Sequence, residues 1–503
     1  MCVVGGGITG AGIARDLALR GVDVVLLEKG DLGVGSTGRS HGLVHSGGRY
    51  VVTDPESAAQ CASENLILRR IAPSFLQDTG GLFVGFRGDD EGYYSEFARG
   101  CRSAGVVAEE LTPEEALRLE PGLSQDVEVA FRVMDAVADP FLLTVANAYA
   151  ASLEGAEVLT YAEVVGIRDG VVRYRRDGEH EVKAEVVVNA SGVWAAKVAE
   201  LAGYAIPLKA YRGTILVYAG RASEHVINRL RMPSQGDIML PHRNTTLAGT
   251  TFSPESRLER YGIEVEEVRI LRREAERVLP RLRSRRVLRA YAGLRPIVGE
   301  GKKRGFSLFP EEGFITITGG KFTTYRLMAE HASDEVCRQL GIRARCTTAS
   351  TPILEEEQRE GLEVYLERYG ALGAEAAGYA DRRRRICLCE DVSEGEVLFA
   401  AERLFCRNIR DIRRRTRLGM GYCQGRRCTF EAALVLYSAG IINHATVHTQ
   451  VLNSLRERWK GLLPLAPEAE EVLRELRLME ATFGCAACYD RIKKHIRGLE
   501  RFL

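Results

Sequence analysis

The pattern of apolar and polar positions near the N-terminus changes its period twice. A short apolar run, Cys2 to Val4, ends at a glycine-rich turn, and apolar residues at helical spacing follow it (Ile13, Leu17 and Leu19). A second apolar run, VDVVLLE, comes next. Apolar runs bounded by turn residues favour strands, and spacing by three or four favours a helix. The pattern therefore predicts a strand–helix–strand unit at the start of the chain.

Three glycines occupy the turn between the first strand and the helix. Gly5, Gly7 and Gly10 fit G-x-G-x-x-G, in which the glycines allow a tight turn, a close approach to pyrophosphate and close helix–strand packing. The helix N-terminus would hold the pyrophosphate, and Glu28, which ends the second strand, would bind ribose hydroxyls. The unit therefore predicts a dinucleotide site, and the alternative is an incidental glycine turn.

Two further strand–glycine junctions and a glycine-rich loop indicate which dinucleotide. The runs AEVVVNASGVWA and GFITITGGKFTTYRL each place small residues after a buried strand, and the loop GVGSTGRSHGLVHSGGRY is rich in glycine and hydroxyl groups. Junctions far apart in sequence can converge on one extended cofactor, which favours FAD over NAD. The candidate cofactor contacts in these segments are Ser36, Thr37, His41, Gly42, Leu43, His45, Ala190, Gly192, Gly319, Gly320, Lys321, Phe322 and Thr323.

Four cysteines form a second candidate site near the C-terminus. Cys387 and Cys389 make a C-x-C pair, and after 33 intervening residues Cys423 and Cys428 make a C-x4-C pair. Four thiolates in two close pairs suit either tetrahedral zinc or a 2Fe–2S cluster, and the spacing alone does not separate them. Cys406, at helical spacing between the pairs, is expected in the core.

Length and composition narrow the class of protein. At 503 residues the chain should form two to four domains, and a net charge of +1 argues against nucleic acid as the main partner. A strand begins within the first few residues, so no targeting segment is expected, and no apolar run is long enough for a transmembrane helix. We therefore expect a cytoplasmic protein, in which paired cysteines bind metal or carry redox chemistry.

Several motifs, in order along the chain, resemble those of one family. The runs HSGGRY, YAGLRPIVGE and ITGGKFTTYRLMAE, followed by RRRTRLGMGYCQG at 413–425 and LRERWKG, resemble FAD-dependent glycerol-3-phosphate dehydrogenases. The similarity is greatest to the catalytic A subunit of the anaerobic type and covers nearly the whole chain. It implies FAD and, through a bacterioferritin-associated-ferredoxin-like domain, a 2Fe–2S cluster bound by the four cysteines.

The resemblance implies an α/β fold with a discontinuous Rossmann-like domain. The FAD-binding domain would comprise residues 1–80, 140–205 and 290–345, and a mostly antiparallel substrate or cap domain would comprise 81–139 and 206–289. The alternating runs RGTILVYAG and DIMLPHRNTTLAGTT suit that sheet. A helical linker (346–381), a small helical 2Fe–2S domain (382–440) and a helical tail (441–503) would follow.

Resemblance also assigns substrate residues. Guanidinium groups bind phosphate through parallel hydrogen bonds, and a cation near the flavin favours its reduction. Lys321 and Arg295 would act at the reacting centre. The implied substrate contacts are Arg49, Tyr50, Arg295, Arg304 and Lys321.

The identity of the base stays open. His45 is the first candidate and His41 the second, because histidine suits proton abstraction near neutral pH. Aerobic relatives carry a histidine where this chain has Ile215, and His242 is a further candidate.

The implied reaction oxidises sn-glycerol 3-phosphate to dihydroxyacetone phosphate by hydride transfer to flavin N5. Electrons would leave singly through the cluster to partner subunits and then to quinone, and membrane attachment would belong to those partners. The alternatives are a related dehydrogenase of amino or hydroxy acids and a non-catalytic electron-transfer subunit.

Two smaller features carry alternatives of their own. The arginine runs 382–385 and 413–415 would raise the cluster potential or dock an acidic partner, or else form a solvated helix face. Cys485 and Cys488 would be free or packed thiols, or part of a site shared with another subunit.

Overall fold

The computed structural model describes residues 1–299, 305–355, 363–462 and 464–465. Arg304, Cys485, Cys488 and the predicted tail beyond residue 465 lie outside this set. The strands are β1 (Cys2–Val4), β2 (Val25–Glu28), β3 (Leu43–Val44), β4 (Leu76–Gln77), β5 (Gly81–Phe86), β6 (Ala108–Leu111), β7 (Val127–Val133), β8 (Ala136–Ala138), β9 (Glu157–Thr160), β10 (Glu163–Arg168), β11 (Val171–Arg175), β12 (Glu179–Lys183), β13 (Val187–Asn189), β14 (Leu208–Ala219), β15 (Val226–Arg229), β16 (Ile238–His242), β17 (Thr245–Gly249), β18 (Ser253–Pro254), β19 (Val287–Val298), β20 (Phe306–Glu311), β21 (Phe314–Gly319), β22 (Arg385–Cys387) and β23 (Val392–Ser393). The helices are α1 (Ile8–Leu19), α2 (Pro55–Ile71), α3 (Glu91–Ser103), α4 (Pro113–Leu119), α5 (Pro140–Leu153), α6 (Ala195–Leu201), α7 (Val265–Val278), α8 (Tyr325–Leu340), α9 (Glu363–Tyr369), α10 (Gly373–Ala377), α11 (Glu394–Arg403), α12 (Ile409–Thr416), α13 (Cys428–Ser438) and α14 (His444–Leu462).

A six-stranded sheet in the order β20-β21-β13-β1-β2-β9 forms the first domain. Its strands pair in parallel except β20, which is antiparallel to β21. Both faces are covered, so alternate residues enter different cores: Val3 packs with α1, α5 and α8, whereas Cys2 and Val4 pack toward β11 and α6. The predicted strand–helix–strand unit and Rossmann-like sheet are confirmed.

A nine-stranded sheet lies beside it, in the order β18-β14-β17-β16-β15-β5-β7-β6, with β19 on the other side of β14. Its pairs are antiparallel apart from β15 with β5, as the predicted cap sheet requires. The predicted domain boundary at residue 290 falls inside β19. That strand pairs with β14 from Val287 to Val298, because β14 is long enough to need a partner along its whole edge.

The C-terminal part is mainly helical. The described residues of the predicted linker form α9 and α10, and β22, β23, α11, α12 and α13 then enclose the cysteine loops. Cys406 is buried, as predicted for a core residue, and burial raises the pKa of its thiol well above the ordinary range. In the portion of the chain that the structure describes, no helix combines the length and the apolar character needed to cross a membrane.

Buried charges hold this helical part against the first domain. The carboxylate of Asp31, in the loop after β2, accepts from Arg414 Nε at 2.6 Å and from Arg415 Nη1 at 3.1 Å. Asp31 and Arg415 are fully buried. The solvated-face and partner-docking interpretations of the 413–415 run are therefore wrong for Arg415, and Arg414 pairs with the same carboxylate. That these cations raise the cluster potential stays a prediction.

A second buried arginine links the same part to the cap sheet. Arg417, in the left-handed conformation after α12, donates from Nε to Glu390 Oε2 at 2.9 Å, and its Nη1 lies 2.9 Å from His242 Nδ1. Glu390 follows Cys389 directly. Arg417 thus joins a cysteine loop to the end of β16.

Candidate functional site

A cavity of about 1070 Å³ runs between the parallel sheet and the antiparallel sheet. All three strand–glycine junctions open into it, together with the loop after β2. The predicted contacts that line the cavity are Gly5, Gly7, Glu28, Ser36, Thr37, His41, Leu43, His45, Arg49, Tyr50, Ala190, Gly192, Arg295, Gly319, Gly320, Lys321 and Phe322.

The first junction has no room for side chains. Gly5 has φ +111°, and a Cβ there would lie 2.7 Å from the Ala190 carbonyl oxygen. A Cβ on Gly10 would lie 1.8 Å from the Gly5 carbonyl oxygen, which explains why Gly10 packs helix on strand and is absent from the cavity wall. The backbone at these glycines therefore carries no side chains, which lets an extended cofactor come close.

Glu28 stands at the end of β2, on the wall of the cavity. Its Oε2 accepts the Gly6 N–H and its Oε1 accepts the Gly30 N–H, both at 2.7 Å. Burial raises the pKa of this carboxyl despite these two bonds. The carboxylate is fixed in orientation and has further lone pairs for a ribose hydroxyl.

The hydroxyls of the glycine-rich loop are also fixed. Thr37 Oγ1 accepts the Ile8 N–H at the start of α1 at 3.2 Å, and Ser36 donates to the Leu294 carbonyl at 2.6 Å. Both side chains line the cavity, so the loop closes over the junction. These features fit an FAD molecule: bare glycine backbone, an oriented acid, small hydroxyl side chains and a long cavity.

Two predicted contacts act one step away from the cavity. A Cβ on Gly42 (φ +73°) would lie 2.1 Å from the Ala138 carbonyl oxygen, so this glycine serves a close crossing of chains. Thr323 Oγ1 accepts the His45 N–H at 2.8 Å. Thr323 therefore positions His45 instead of lining the cavity.

His45, Tyr50 and Lys321 form one packed group at the other end of the cavity. The His45 and Tyr50 rings meet edge to face at 5.3 Å, and Lys321 Nζ lies 4.5 Å from the centre of the Tyr50 ring. His45 and Lys321 are more than nine-tenths buried. The buried Lys321 ammonium and the His45 imidazole thus both pack against the Tyr50 ring.

Two arginines line the same cavity from the cap sheet and its neighbouring loop. Arg49 donates from Nη2 to Asp237 at 2.9 Å, and Asp237 is completely buried. Arg295, on β19, donates to the Thr251 carbonyl at 3.0 Å and bonds the Thr250 hydroxyl. Each guanidinium has five N–H groups in a planar fork, the geometry that suits an anion.

The remaining candidate bases occupy different positions. His41 lines the cavity, and its ring lies 6.2 Å from that of His45. Ile215 lines the cavity too, so no imidazole comes from β14 at that point. His242 lies at the end of β16 against Arg417, away from the cavity wall, and burial together with Arg417 lowers its pKa to about 3.

The structure adds residues that the sequence reasoning missed. Arg39 lines the cavity and bonds the Tyr261 hydroxyl, while Glu259 accepts from Lys29 at 3.1 Å and from the Trp194 indole at 2.7 Å. Cap residues 259–261 thus cross over the dinucleotide end. No local motif marks them, because their partners are more than 60 residues away.

Asp135 holds the loop that carries His45. It is buried, its Oδ1 accepts the Ser46 N–H at 2.7 Å, and its Oδ2 accepts from the Asn228 amide at 3.1 Å. Burial raises the pKa of this carboxyl. Together with Thr323, Asp135 holds the backbone on both sides of the His45 peptide.

The four predicted cluster cysteines come together between β22 and α13. A hydrogen bond with Cys428 lowers the pKa of Cys387 to about 6 and that of Cys423 to about 4; the same bonds raise the pKa of Cys428, and burial raises that of Cys389, which also contacts Cys423. Thiolates are the form that binds metal. Two pairs of linked sulfurs suit the two-iron arrangement, in which each iron takes two thiolates.

Glycines bring the cysteine loops close together. A Cβ on Gly421 would lie 2.6 Å from the Cys389 Cβ, and Gly419 has φ +75° beside Cys428. Arg413 is near Cys428, and burial lowers the pKa of its guanidinium to about 9. The donor set and the cramped glycine backbone fit a 2Fe–2S cluster.

Comparison with known proteins agrees with both sites. The model of the FAD dependent oxidoreductase family matches residues 1–335, and that of the BFD-like [2Fe-2S] binding domain matches residues 385–436. The A subunit of the anaerobic glycerol-3-phosphate dehydrogenase of Escherichia coli K12 is 42% identical, and the match covers 92% of each chain. The chain belongs to this family of A subunits. The A1 subunit of the corresponding enzyme from Haloferax volcanii is 37% identical, and the match covers 91% of this chain and 86% of that one.

A solved structure shows the same fold. The FAD complex of glycerol-3-phosphate dehydrogenase from Bacillus halodurans superposes with a TM-score of 0.71 at 22% identity, covering 92% of this chain and 95% of that one. The predictions of FAD and a 2Fe–2S cluster as cofactors are confirmed by the family matches. The zinc alternative is not supported.

Proposed function

We propose that this chain oxidises sn-glycerol 3-phosphate at C2 and passes the electrons singly to a partner protein. The observation that carries the proposal is the joint placement of Arg49, Arg295 and Lys321 on one cavity with His45. Three cations suit a phosphate dianion, whereas a carboxylate needs one or two. The family of A subunits supports the same substrate.

The position of each cavity residue indicates its role in substrate binding. Arg49 and Arg295 bind phosphate oxygens; Asp237 holds Arg49 in place, and Thr251 holds Arg295. Held guanidinium groups lose little freedom on binding, which favours affinity. Tyr50, packed against Lys321, offers a hydroxyl to the substrate.

His45 takes the proton from the C2 hydroxyl. Its backbone is held by Thr323, and its ring is held by Tyr50. Lys321 supplies positive charge where negative charge develops. The glycine junctions would hold FAD, which would supply the hydride acceptor. His45 and Tyr50 are both buried, which limits the access of bulk water to this proton transfer.

The electrons leave through the cysteine domain. Cys387, Cys389, Cys423 and Cys428 would hold a 2Fe–2S cluster, which would supply a one-electron carrier for the pair taken from the substrate. The related proteins are named as subunits, which supports partner subunits for this chain. We extend the proposal to passage toward quinone and to a cytoplasmic position at the membrane face through those partners. Co-sedimentation of the chain with membranes only when its partners are present tests the location.

Anaerobic addition of glycerol 3-phosphate to the holoprotein tests the proposal. Flavin absorbance should bleach at saturating substrate, and an α-amino or α-hydroxy acid at the same concentration should leave it unchanged. Bleaching by the amino or hydroxy acid alone would favour the related dehydrogenase. No bleaching by any substrate would favour a non-catalytic role in electron transfer.

A cysteine variant separates the two halves of the reaction. Cys423→Ser should leave flavin bleaching intact and stop electron transfer onward, because it removes a cluster ligand that lies outside the cavity. Cys406→Ala is the matched control, since Cys406 is a buried thiol of the same domain that is not a ligand. Loss of bleaching in Cys423→Ser but not in the control would contradict the proposed electron path.

A further inference from the structure

The cysteine site is open on one side. Cys387 and Cys428 are buried, whereas Cys389 and Cys423 are partly exposed. Electron transfer between proteins requires the redox centres to come close, and the two partly exposed cysteines mark the edge that a second protein can approach. That edge is therefore the place to look for a docking surface.

Two large apolar side chains flank the open edge. Leu388 stands between Cys387 and Cys389 and is 68% exposed, and Tyr422 precedes Cys423 and is 61% exposed. The near contact of Gly421 with Cys389 brings the two loops together. We call Leu388 and Tyr422 the exit patch. Single exposed apolar residues are common, but two beside the exposed ligands of a redox centre suggest an interaction surface.

The surroundings of the exit patch are basic. Apart from Arg414 and Arg415, which pair with Asp31 inside the molecule, residues 382–440 contain eleven arginines, no lysine and seven Asp and Glu residues, which leaves an excess of +4, although the whole chain has +1. Arg385 and Arg427 have side chains that are 68% and 74% exposed, and they pair with Asp391 and Glu431. Such pairs cancel only part of the excess. The guanidinium of Arg286 lies 5.9 Å from the Tyr422 ring and extends the basic surface onto the cap sheet.

We propose that the exit patch docks an electron-accepting protein whose contact face has an apolar centre ringed by carboxylates. This inference rests on the proposed function, because it assigns a partner to the same electron path. Interfaces commonly have an apolar core, a polar rim and an excess of arginine and tyrosine. Opposite charge on the partner would steer its approach and speed association at low salt.

Two haem proteins of opposite charge are suitable probes. The holoprotein is reduced with dithionite, excess reductant is removed, and electron transfer to cytochrome b5, which is acidic, or to cytochrome c, which is basic, is followed by stopped flow. Transfer to the acidic acceptor should slow at least tenfold as salt rises from about 0.05 to 0.5 M, because the Debye length falls from about 14 to 4 Å. Transfer to the basic acceptor should not slow.

Substitutions in the patch give a second readout. Leu388→Asp and Tyr422→Asp should each slow transfer to cytochrome b5 at least tenfold while the cluster EPR signal stays unchanged. Leu434→Asp is the matched control, since Leu434 is 56% exposed on α13 of the same domain but is not beside a ligand. If one variant loses its cluster, the other variant and the salt dependence of the wild type still test the proposal.

Three results would overturn the proposal. Unchanged transfer in both variants, without salt dependence, would show that the acceptor docks elsewhere. Faster transfer to both acceptors in the variants would show that a segment of this chain covers the patch. A changed mass in sedimentation would assign the patch to a second copy. Because dithionite replaces substrate, failure of glycerol 3-phosphate to bleach the flavin tests the proposed function separately.

Discussion

Replacing Asp31 with Asn should loosen the cysteine domain from the FAD domain. The change keeps the shape of the side chain and removes its charge, which leaves Arg415 without its buried counter-ion and leaves Arg414 with Asp411 alone. Breaking a buried ion pair costs about 3–5 kcal/mol. At about 1.4 kcal/mol per factor of ten, the undocked fraction should rise by roughly two to three and a half powers of ten.

Urea titration of the holoprotein measures this effect with two probes. Cluster absorbance should be lost at lower urea in Asp31→Asn, while the flavin signal moves less. Asp177→Asn is the matched control: Asp177 meets Arg407 at 3.2 Å across the same two domains, but its side chain is 82% exposed. An exposed pair of this kind is worth about 0–1 kcal/mol. Equal shifts in the two variants would refute the claim that burial makes the Asp31 contact strong.

The pH dependence of docking tests the same prediction in a second way. Burial acts to raise the pKa of Asp31, but Arg415 and Arg414 outweigh it and hold the pKa below the ordinary range. A carboxyl with a lowered folded pKa stabilises fully above its unfolded value, about 3.9, and loses that contribution as pH falls toward the folded value. Below about pH 4 the wild type should therefore lose more docking stability than Asp31→Asn. An equal loss would contradict the assignment.

The remaining predictions concern the FAD and substrate sites. Gly10→Ala should abolish retention of FAD during gel filtration because its Cβ would meet backbone at 1.8 Å, whereas Gly262→Ala, which meets nothing within 4 Å, should keep it. Thr323→Val should lower kcat/KM roughly fivefold, because it loses about 1 kcal/mol of hydrogen bonding to the His45 backbone. Thr323→Ser keeps the hydroxyl and should restore kcat/KM. An equal loss in both variants would show that the hydroxyl does not position His45. His45→Gln should slow flavin bleaching at saturating substrate, and His242→Gln should not, since of these two only His45 lines the cavity.

Local spacing makes the FAD domain predictable. The glycine turn and Glu28 lie within one strand–helix–strand unit, where each residue type has a direct steric or hydrogen-bonding reason. The cluster site is equally predictable from the four cysteines, because few cofactors are bound by two close pairs of thiols. Fold and cofactors follow from these signals and from the family resemblance.

Long-range pairing makes the rest unpredictable. The arginine run 413–415 resembles a charged surface in sequence because its counter-ion, Asp31, lies more than 380 residues earlier in the chain. The motif around Thr323 predicts a cofactor contact, yet its hydroxyl accepts from the His45 backbone. A sequence shows which groups a segment carries, but folding decides which groups they meet.

The pairing order of the parallel sheet also constrains synthesis of the protein. β1 pairs with β13, and β13 pairs with β21, so the N-terminal strand belongs to a sheet that is complete only when residue 319 has been made. At about 5–20 residues per second, a ribosome needs roughly 15 to 60 s to reach that point. Until then the strands beside the glycine turn belong to an incomplete sheet. The residues of α12 are made later still, so all the strands of the parallel sheet have been made before Asp31 can meet Arg414 and Arg415.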